Sequence, residues 1–212
     1  MFRESLENGG FAVASQIIGA SDITRLLDGL TMVELPRSRA GVRHALQQPA
    51  VAELARDPRL LGMAREILGS AALPFRATFF DKSAASNWLV AWHQDTALPL
   101  RERREVAGWG PWSVKNGVIY AHAPASALSQ VLALRLHLDD SRADNGPLRV
   151  LPGTHVLGVL SDEEMLKLSV LVMRPLLVHA SSKSRSELPR RVLHIEYGAK
   201  AVLAHDLELA IT

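Results

Sequence analysis

Along the first third of the chain, apolar residues recur at helical spacing. Ile23, Leu26, Leu27 and Leu30 share one face of a segment that Ser21 can cap. Asp57-Pro58 opens a second helix, with Leu60, Leu61, Ala64, Ile67 and Leu68 as its stripe and Gly69 just past its end. Residues 49–55 add a helical turn or two, and residues 10–18 read as a first strand entered from Asn8-Gly9-Gly10. Residues 31–41 read as irregular. From Pro74 the period shifts from helical towards alternating. Strands are expected at 75–80, 88–95, 131–139, 148–151, 170–180 (broken at Pro175) and 192–197. Residues 101–117 read as a long polar loop whose Trp109 and Trp112 pack as a lid on the core or wall a pocket. Residues 124–130 suit a helical turn. Ser161 with Glu164 forms a capping box for a helix through Leu168.

Helices first and many short strands afterwards predict an α+β protein. The later strands suit a closed or double-sheet jelly roll, which arranges side chains from several strands around one interior cavity. We expect a single domain over 1–212, with 1–73 as mostly helical scaffold and 74–200 as the jelly-roll core.

Composition narrows the functional classes. The 212 residues are 48% hydrophobic and 22% charged, with a net charge of +2. That is the profile of an ordinary soluble globular chain. The basic stretches at 101–104 and 185–191 are short and carry Glu neighbours, so nucleic acid is not an expected partner. There is no cysteine, which excludes disulfides, zinc–thiolate sites and a Cys nucleophile. No apolar run is long enough to span a membrane, and the N-terminus has no apolar signal core; a cytoplasmic location is the expectation.

The chemistry concentrates in histidines. Three of the eight stand in a His-x-acid pair on an expected strand: His93/Asp95, His137/Asp139 and His194/Glu196. Strand alternation turns both members of such a pair to one side, so an imidazole and a carboxylate can reach one metal ion. This is two thirds of the 2-His-1-carboxylate set that holds non-haem iron. Spacing alone does not choose among the three. Asp139 and Asp140 lead into a turn-rich segment and read as turn formers. Glu196 has the alternative of pairing with an arginine across the sheet. His155, after Pro152-Gly153, reads as a turn-packing residue or a third ligand. His44, His122 and His205 read as surface or satisfied core residues. His179 ends an apolar run, and Arg190 lies eleven residues on.

Several ordered segments together carry a resemblance. They are Trp92-His93-Gln94-Asp95, Leu136-His137-Leu138-Asp139-Asp140, the run at 145–155 containing Asn145-Gly146-Pro147 and Pro152-Gly153-Thr154-His155, the run at 173–181, and the run at 190–197. Over residues 75–197 the chain resembles the phytanoyl-CoA dioxygenase family, whose members are Fe(II)- and 2-oxoglutarate-dependent oxygenases built on a double-stranded β-helix. The resemblance implies iron held by His93, Asp95 and His179. It implies that Arg190, with the hydroxyl of Ser181, grips the far carboxylate of 2-oxoglutarate, rather than the neighbouring Arg191. Related halogenases lack the carboxylate at Asp95, so its presence implies hydroxylation of a small molecule with O2, releasing succinate and CO2. Lys82, Asn87, Trp88 and the Trp109–Trp112 loop are the expected substrate walls. In one place the chain departs from the family: about one strand and its turn are missing before His179. That leaves open a non-catalytic relative using the barrel as a binding module, and a cupin-like metalloenzyme using His194/Glu196.

Overall fold

In a computed structural model of the chain, residues 2–31, 41–83, 86–160 and 174–212 are described. The capping box at Ser161 and the shortened stretch before His179 lie outside the described residues. Helices α1 (Phe2–Gly9), α2 (Ala20–Thr31), α3 (Pro49–Ala55) and α4 (Pro58–Leu68) precede the first strand. Helix α4 starts as its sequence dictates: the Asp57 carboxylate accepts the Arg59 N–H at 2.9 Å, Pro58 takes the first turn, and Gly69 ends it at φ 100°. Residues 10–18 do not form the expected strand; they find no ladder partner among the described residues, and Val13 stays exposed.

Among the described residues nine strands follow: β1 (Leu73–Lys82), β2 (Val90–His93), β3 (Ala97–Leu100), β4 (Trp112–Lys115), β5 (Val118–His122), β6 (Val131–His137), β7 (Leu148–Val150), β8 (His179–Ser181) and β9 (Arg190–Gly198). A short helix, α5 (Ala125–Leu128), precedes β6. The strands make three antiparallel sheets ordered β1-β9-β6, β2-β8-β7 and β3-β5-β4. The first two are the walls of the jelly roll. Such a roll ordinarily has eight strands, and these two sheets supply six among the described residues. The third sheet corrects the reading of 101–117 as loop. Its end is strand β4, joined to β5 by a tight Asn116-Gly117 turn in which both residues have positive φ.

The β1-β9-β6 sheet has two unlike faces. Ala77, Phe79, Leu132, Leu193, Ile195 and Tyr197 alternate onto one side and pack against the helices. The Tyr197 hydroxyl closes that layer by donating to the Ala55 carbonyl at 2.8 Å. The opposite face carries Arg76, Thr78, Lys82, Arg135, Arg190, His194 and Glu196 and lines a cavity of about 350 Å³. A second core, around Phe75, Leu98, Leu100, Trp109 and Leu128, closes one end of the roll. Trp109 and Trp112 belong to this core and do not line the cavity, so they are a lid. No helix among the described residues is long and apolar enough to cross a membrane.

Candidate active site

Strand β2 and the residue pair after it set up the site. His93 and Asp95 turn into the cavity, while Gln94 turns the other way. There Gln94 donates to the Gly158 and Leu176 carbonyls and accepts the Leu160 N–H at 2.8 Å, so the segment bearing the pair is tied down from behind. The β2–β8 register shifts between Val90 and His93. This irregularity brings His93 directly opposite His179, with ring centroids 4.1 Å apart.

Three ligand-type atoms thereby converge. One nitrogen each from His93 and His179 and one Asp95 oxygen all lie within 4.8 Å of one another. The His179 Nε2 stands 3.4 Å and the His93 Nε2 3.8 Å from the Asp95 carboxylate. Each imidazole is oriented from its far side. His93 Nδ1 donates to the Ala91 carbonyl and His179 Nδ1 to the Leu177 carbonyl, both at 2.9 Å. With those protons committed, both Nε2 lone pairs face the cluster, the arrangement metal-bound histidines show. Accessibility falls from 39% at the His93 side chain through 28% at Asp95 to 6% at His179. The cluster is therefore rooted on one side and open on the other. Partial burial would raise the Asp95 carboxyl; the His179 and His93 rings overcome it and hold it well below its ordinary value. Burial pushes His179 down to about 4, so its ring is a neutral donor at physiological pH.

At one end of the same cavity stand Arg190, Ser181 and Lys82. The Ser181 Oγ accepts from Lys82 Nζ at 2.9 Å and from Arg190 Nη2 at 3.2 Å, and donates to the Gly146 carbonyl at 2.8 Å. Arg190 Nε donates to the Asn145 carbonyl at 3.0 Å. The Asn145-Gly146 turn thus backs this end of the cavity. Gly146 has φ 68°, and a Cβ there would collide with the Ser182 carbonyl. Arg190 Nη1 and Arg135 Nε are buried and have no partner among the described residues. Buried guanidinium N–H groups without acceptors fit an anionic oxygen from a ligand. Arg191 alternates away and grips Asp139 through both Nε and Nη2, at 2.9 and 2.6 Å.

The other candidates sort themselves. Glu196 is clamped by Arg76 through two parallel hydrogen bonds, so the acid of the His194/Glu196 pair is occupied across the sheet. Asp139 serves Arg191, and His137 is exposed on its strand. His155 packs the turn, with Nε2 3.1 Å from the Glu7 carbonyl. His44 is buried against the Tyr120 hydroxyl at 3.0 Å, whereas His122 lines the cavity beside Thr96. Trp88 and Lys82 line the cavity, with Lys82 Nζ 5.3 Å from the Trp88 ring. Asn87 is not a wall; it holds the Ser184 backbone through both ends of its amide. Arg135, Arg43, Lys115 and Tyr120 were missed. Only the alternation of Arg135 within an apolar strand signalled that it could face inward.

This geometry belongs to a known class. Residues 10–192 match the phytanoyl-CoA dioxygenase (PhyH) family, and the chain belongs to that family. Its sequence is 29% identical over 111 residues to an L-proline trans-4-hydroxylase of Streptomyces griseoviridis, a stretch covering 52% of this chain and 34% of the relative. The match thus spans about a third of that protein's length. Among solved structures, the chain is similar to the non-haem α-ketoglutarate-dependent epimerase SnoN of nogalamycin biosynthesis. The TM-score is 0.67 at 17% identity, over 95% of this chain and 82% of that one. HygX of Streptomyces hygroscopicus, solved with nickel and 2-oxoglutarate bound, aligns with TM-score 0.62 at 18% identity, over 93% and 86% of the two chains. AviO1 of Streptomyces viridochromogenes gives 0.62 at 22% identity, over 93% of each chain. At these identities the structural likeness establishes the jelly-roll fold.

Proposed function

We propose that the protein is an Fe(II)- and 2-oxoglutarate-dependent oxygenase that hydroxylates a small organic molecule, releasing succinate and CO2. One observation carries the reading. A His-Asp-His cluster with both Nε2 lone pairs presented shares a cavity with the buried Arg190, whose Nη1 has no acceptor among the described residues. His93, Asp95 and His179 would hold the iron. Arg190, aided by Ser181 and Lys82, would hold the far carboxylate of 2-oxoglutarate. When bound, the metal and cosubstrate with O2 supply the oxidising chemistry. The chain's own contribution is geometric and electrostatic. The Ala91 and Leu177 carbonyls fix the ring orientations, and Asp95 stays ionised to offset metal charge. The dry Arg190 end selects a dianion over a monoanion. The open side at His93 admits the substrate.

The test is succinate formation with Fe(II) and 2-oxoglutarate, alongside calorimetric metal binding. Wild-type protein should bind Fe(II). Replacing Arg190 by Met should raise the 2-oxoglutarate requirement roughly 10- to 100-fold, the worth of a lost charge-assisted hydrogen bond; Arg191→Met should leave it unchanged. Wild-type protein that binds no metal would end this reading and favour the binding-module alternative.

A further inference from the structure

The cavity runs between two charged ends. Lys82 faces Arg190 across the β1–β9 ladder, and Arg76 faces Glu196 six residues further along each strand. By strand rise these rungs are roughly 20 Å apart. Asp95 lies between them: it feels His194 and Arg76, and its own charge reaches Arg135 and Lys115. Around Arg76 the wall includes Arg43, Tyr120 and Lys115, with Arg76 Cζ 5.9 Å and Lys115 Nζ 4.8 Å from the Tyr120 ring centroid.

The charges in this cavity do not balance. Leaving Arg43 aside, its described lining holds five cations (Arg76, Lys82, Lys115, Arg135 and Arg190) against two acids, Asp95 and Glu196, an excess of 5 − 2 = 3. A divalent metal and dianionic 2-oxoglutarate cancel each other, so loading the site as proposed above leaves the excess in place. Glu196 already answers Arg76. Lys115 has no ion pair with a carboxylate among the described residues. It closes β4 just before the Asn116-Gly117 turn, and its Nζ lies 4.8 Å from the Tyr120 ring centroid. Burial pushes its ammonium below the ordinary lysine range, and Arg43 and Arg76 push the same way against Asp95. A lysine at a pocket wall with no carboxylate partner is stabilised by an incoming anion.

We infer that the substrate carries an oxyanion, a carboxylate or a phosphate, and that Lys115 binds it at the end of the cavity opposite Arg190. The rest of the molecule extends towards His93 and Asp95. Lys115 is then a specificity-determining residue on a hairpin, at the far end from the cosubstrate carboxylate. The inference rests on the function proposed above for what lies at the other end.

The experiment labels the lysines by reductive methylation with an isotope and follows Lys82 and Lys115 separately by NMR. Protein holding 2-oxoglutarate is titrated with inorganic phosphate and, separately, with acetate. A saturable shift of the Lys115 resonance is expected, with the stronger of the two probes naming the oxyanion. Lys115→Met should abolish the saturable binding seen by calorimetry, and Lys115→Arg should restore it. Because Lys115 sits on a partly exposed hairpin, both variants should fold. A Lys115 resonance that stays still, a shift at Lys82 alone, or a Lys115→Met protein that binds phosphate like wild type would each overturn the inference. The Lys82 response to 2-oxoglutarate reports on the proposed function independently, so the two failures are distinguishable. Among turnover substrates, free acids should have a KM about tenfold or more below their methyl esters, and Lys115→Met should erase that gap. Esters that perform as well as acids in wild type would sink the substrate class.

Discussion

Two His-x-acid pairs face the same cavity from opposite walls, and they have opposite fates. His93 Nε2 lies 3.8 Å from Asp95, and His194 Nε2 lies 3.9 Å from Glu196. Within each pair the geometry is nearly the same. The difference lies in what stands across the ladder. Opposite His93 is His179, a second imidazole, which leaves the Asp95 oxygens open. Opposite Glu196 is Arg76, which takes both carboxylate oxygens, with a third hydrogen bond from its Nη1 to the Ala97 carbonyl at 2.6 Å. Burial works against both charges of that pair, and the Glu196 carboxylate more than offsets it for Arg76, whose guanidinium is held above its usual range. A metal half-site and a structural ion pair are thus the same local motif completed by different register partners.

The largest effect should come from the first pair. His179→Ala and Asp95→Ala should each weaken Fe(II) binding by two orders of magnitude or more, since losing only an outer partner of a ligand typically costs about 10- to 100-fold. His194→Ala should leave metal affinity near wild type. Calorimetric titration of the three variants decides it; equal loss on His194→Ala would erase the distinction between the pairs. Next in size is Arg76→Met. It strands the Glu196 carboxylate, whose side chain is 2% exposed. Breaking a buried pair from one side costs about 3–5 kcal/mol, read as a drop in the urea midpoint. Removing both charges together, as Arg76→Met with Glu196→Leu, should recover most of the loss. An Arg76→Met protein as stable as wild type would mean Glu196 is not held as an ion.

How much of this could be read from the sequence follows from the same contrast. Parity along one strand was legible. It put His93 with Asp95, separated Arg190 from Arg191, and marked the acid of His194/Glu196 as open to capture by an arginine. Which arginine was not legible, because Arg76 lies 120 positions away and only the β1–β9 register brings it there. The β3-β5-β4 sheet also escaped. Ala97-Leu98-Pro99-Leu100 has no alternation and carries a proline, and Pro99 is tolerated where it pairs with Tyr120 at the end of the roll. Residues 10–18 failed the other way: Phe11, Val13, Ile17 and Ile18 suit a strand, but among the described residues no neighbouring strand takes them up. Lys115 was invisible for a simpler reason: a lone cation in a stretch that reads as polar loop looks solvated until a cavity is found behind it.

A smaller effect separates the pairs by pH. Burial pushes His194 down to about 3. An unfolded histidine titrates near ~6.5, so on acidification the unfolded chain takes up this proton first. The stability His194 contributes as a neutral ring is complete above that unfolded value and falls as pH drops towards about 3. By pH ~5 the loss amounts to roughly 2 kcal/mol. In metal-free protein, His194→Gln should flatten the acid limb of the stability curve relative to wild type, measured by urea unfolding at several pH values. Parallel curves would place the acid sensitivity elsewhere.

The smallest effect belongs to the third His-x-acid pair, whose acid is also captured by an arginine, but near the surface. Arg191 holds Asp139 with its backbone N–H at 2.7 Å and with its guanidinium, and the two side chains are 29% and 18% exposed. Burial would raise the Asp139 carboxyl, and the Arg191 hydrogen bonds lower it below its ordinary value. A depressed carboxylate stabilises the fold above its unfolded pKa, and that contribution is lost as pH falls through the folded one. Asp139→Asn should therefore cost about 1 kcal/mol at neutral pH, near the upper end for a partly exposed pair. The deficit should vanish in acid, where wild-type Asp139 is protonated too. The same variant should leave the 2-oxoglutarate requirement untouched, because Arg190 points into the cavity from the next position on β9. A rise in that requirement would mean that Asp139, by anchoring Arg191, also sets where Arg190 sits, and would tie the outermost pair to the site.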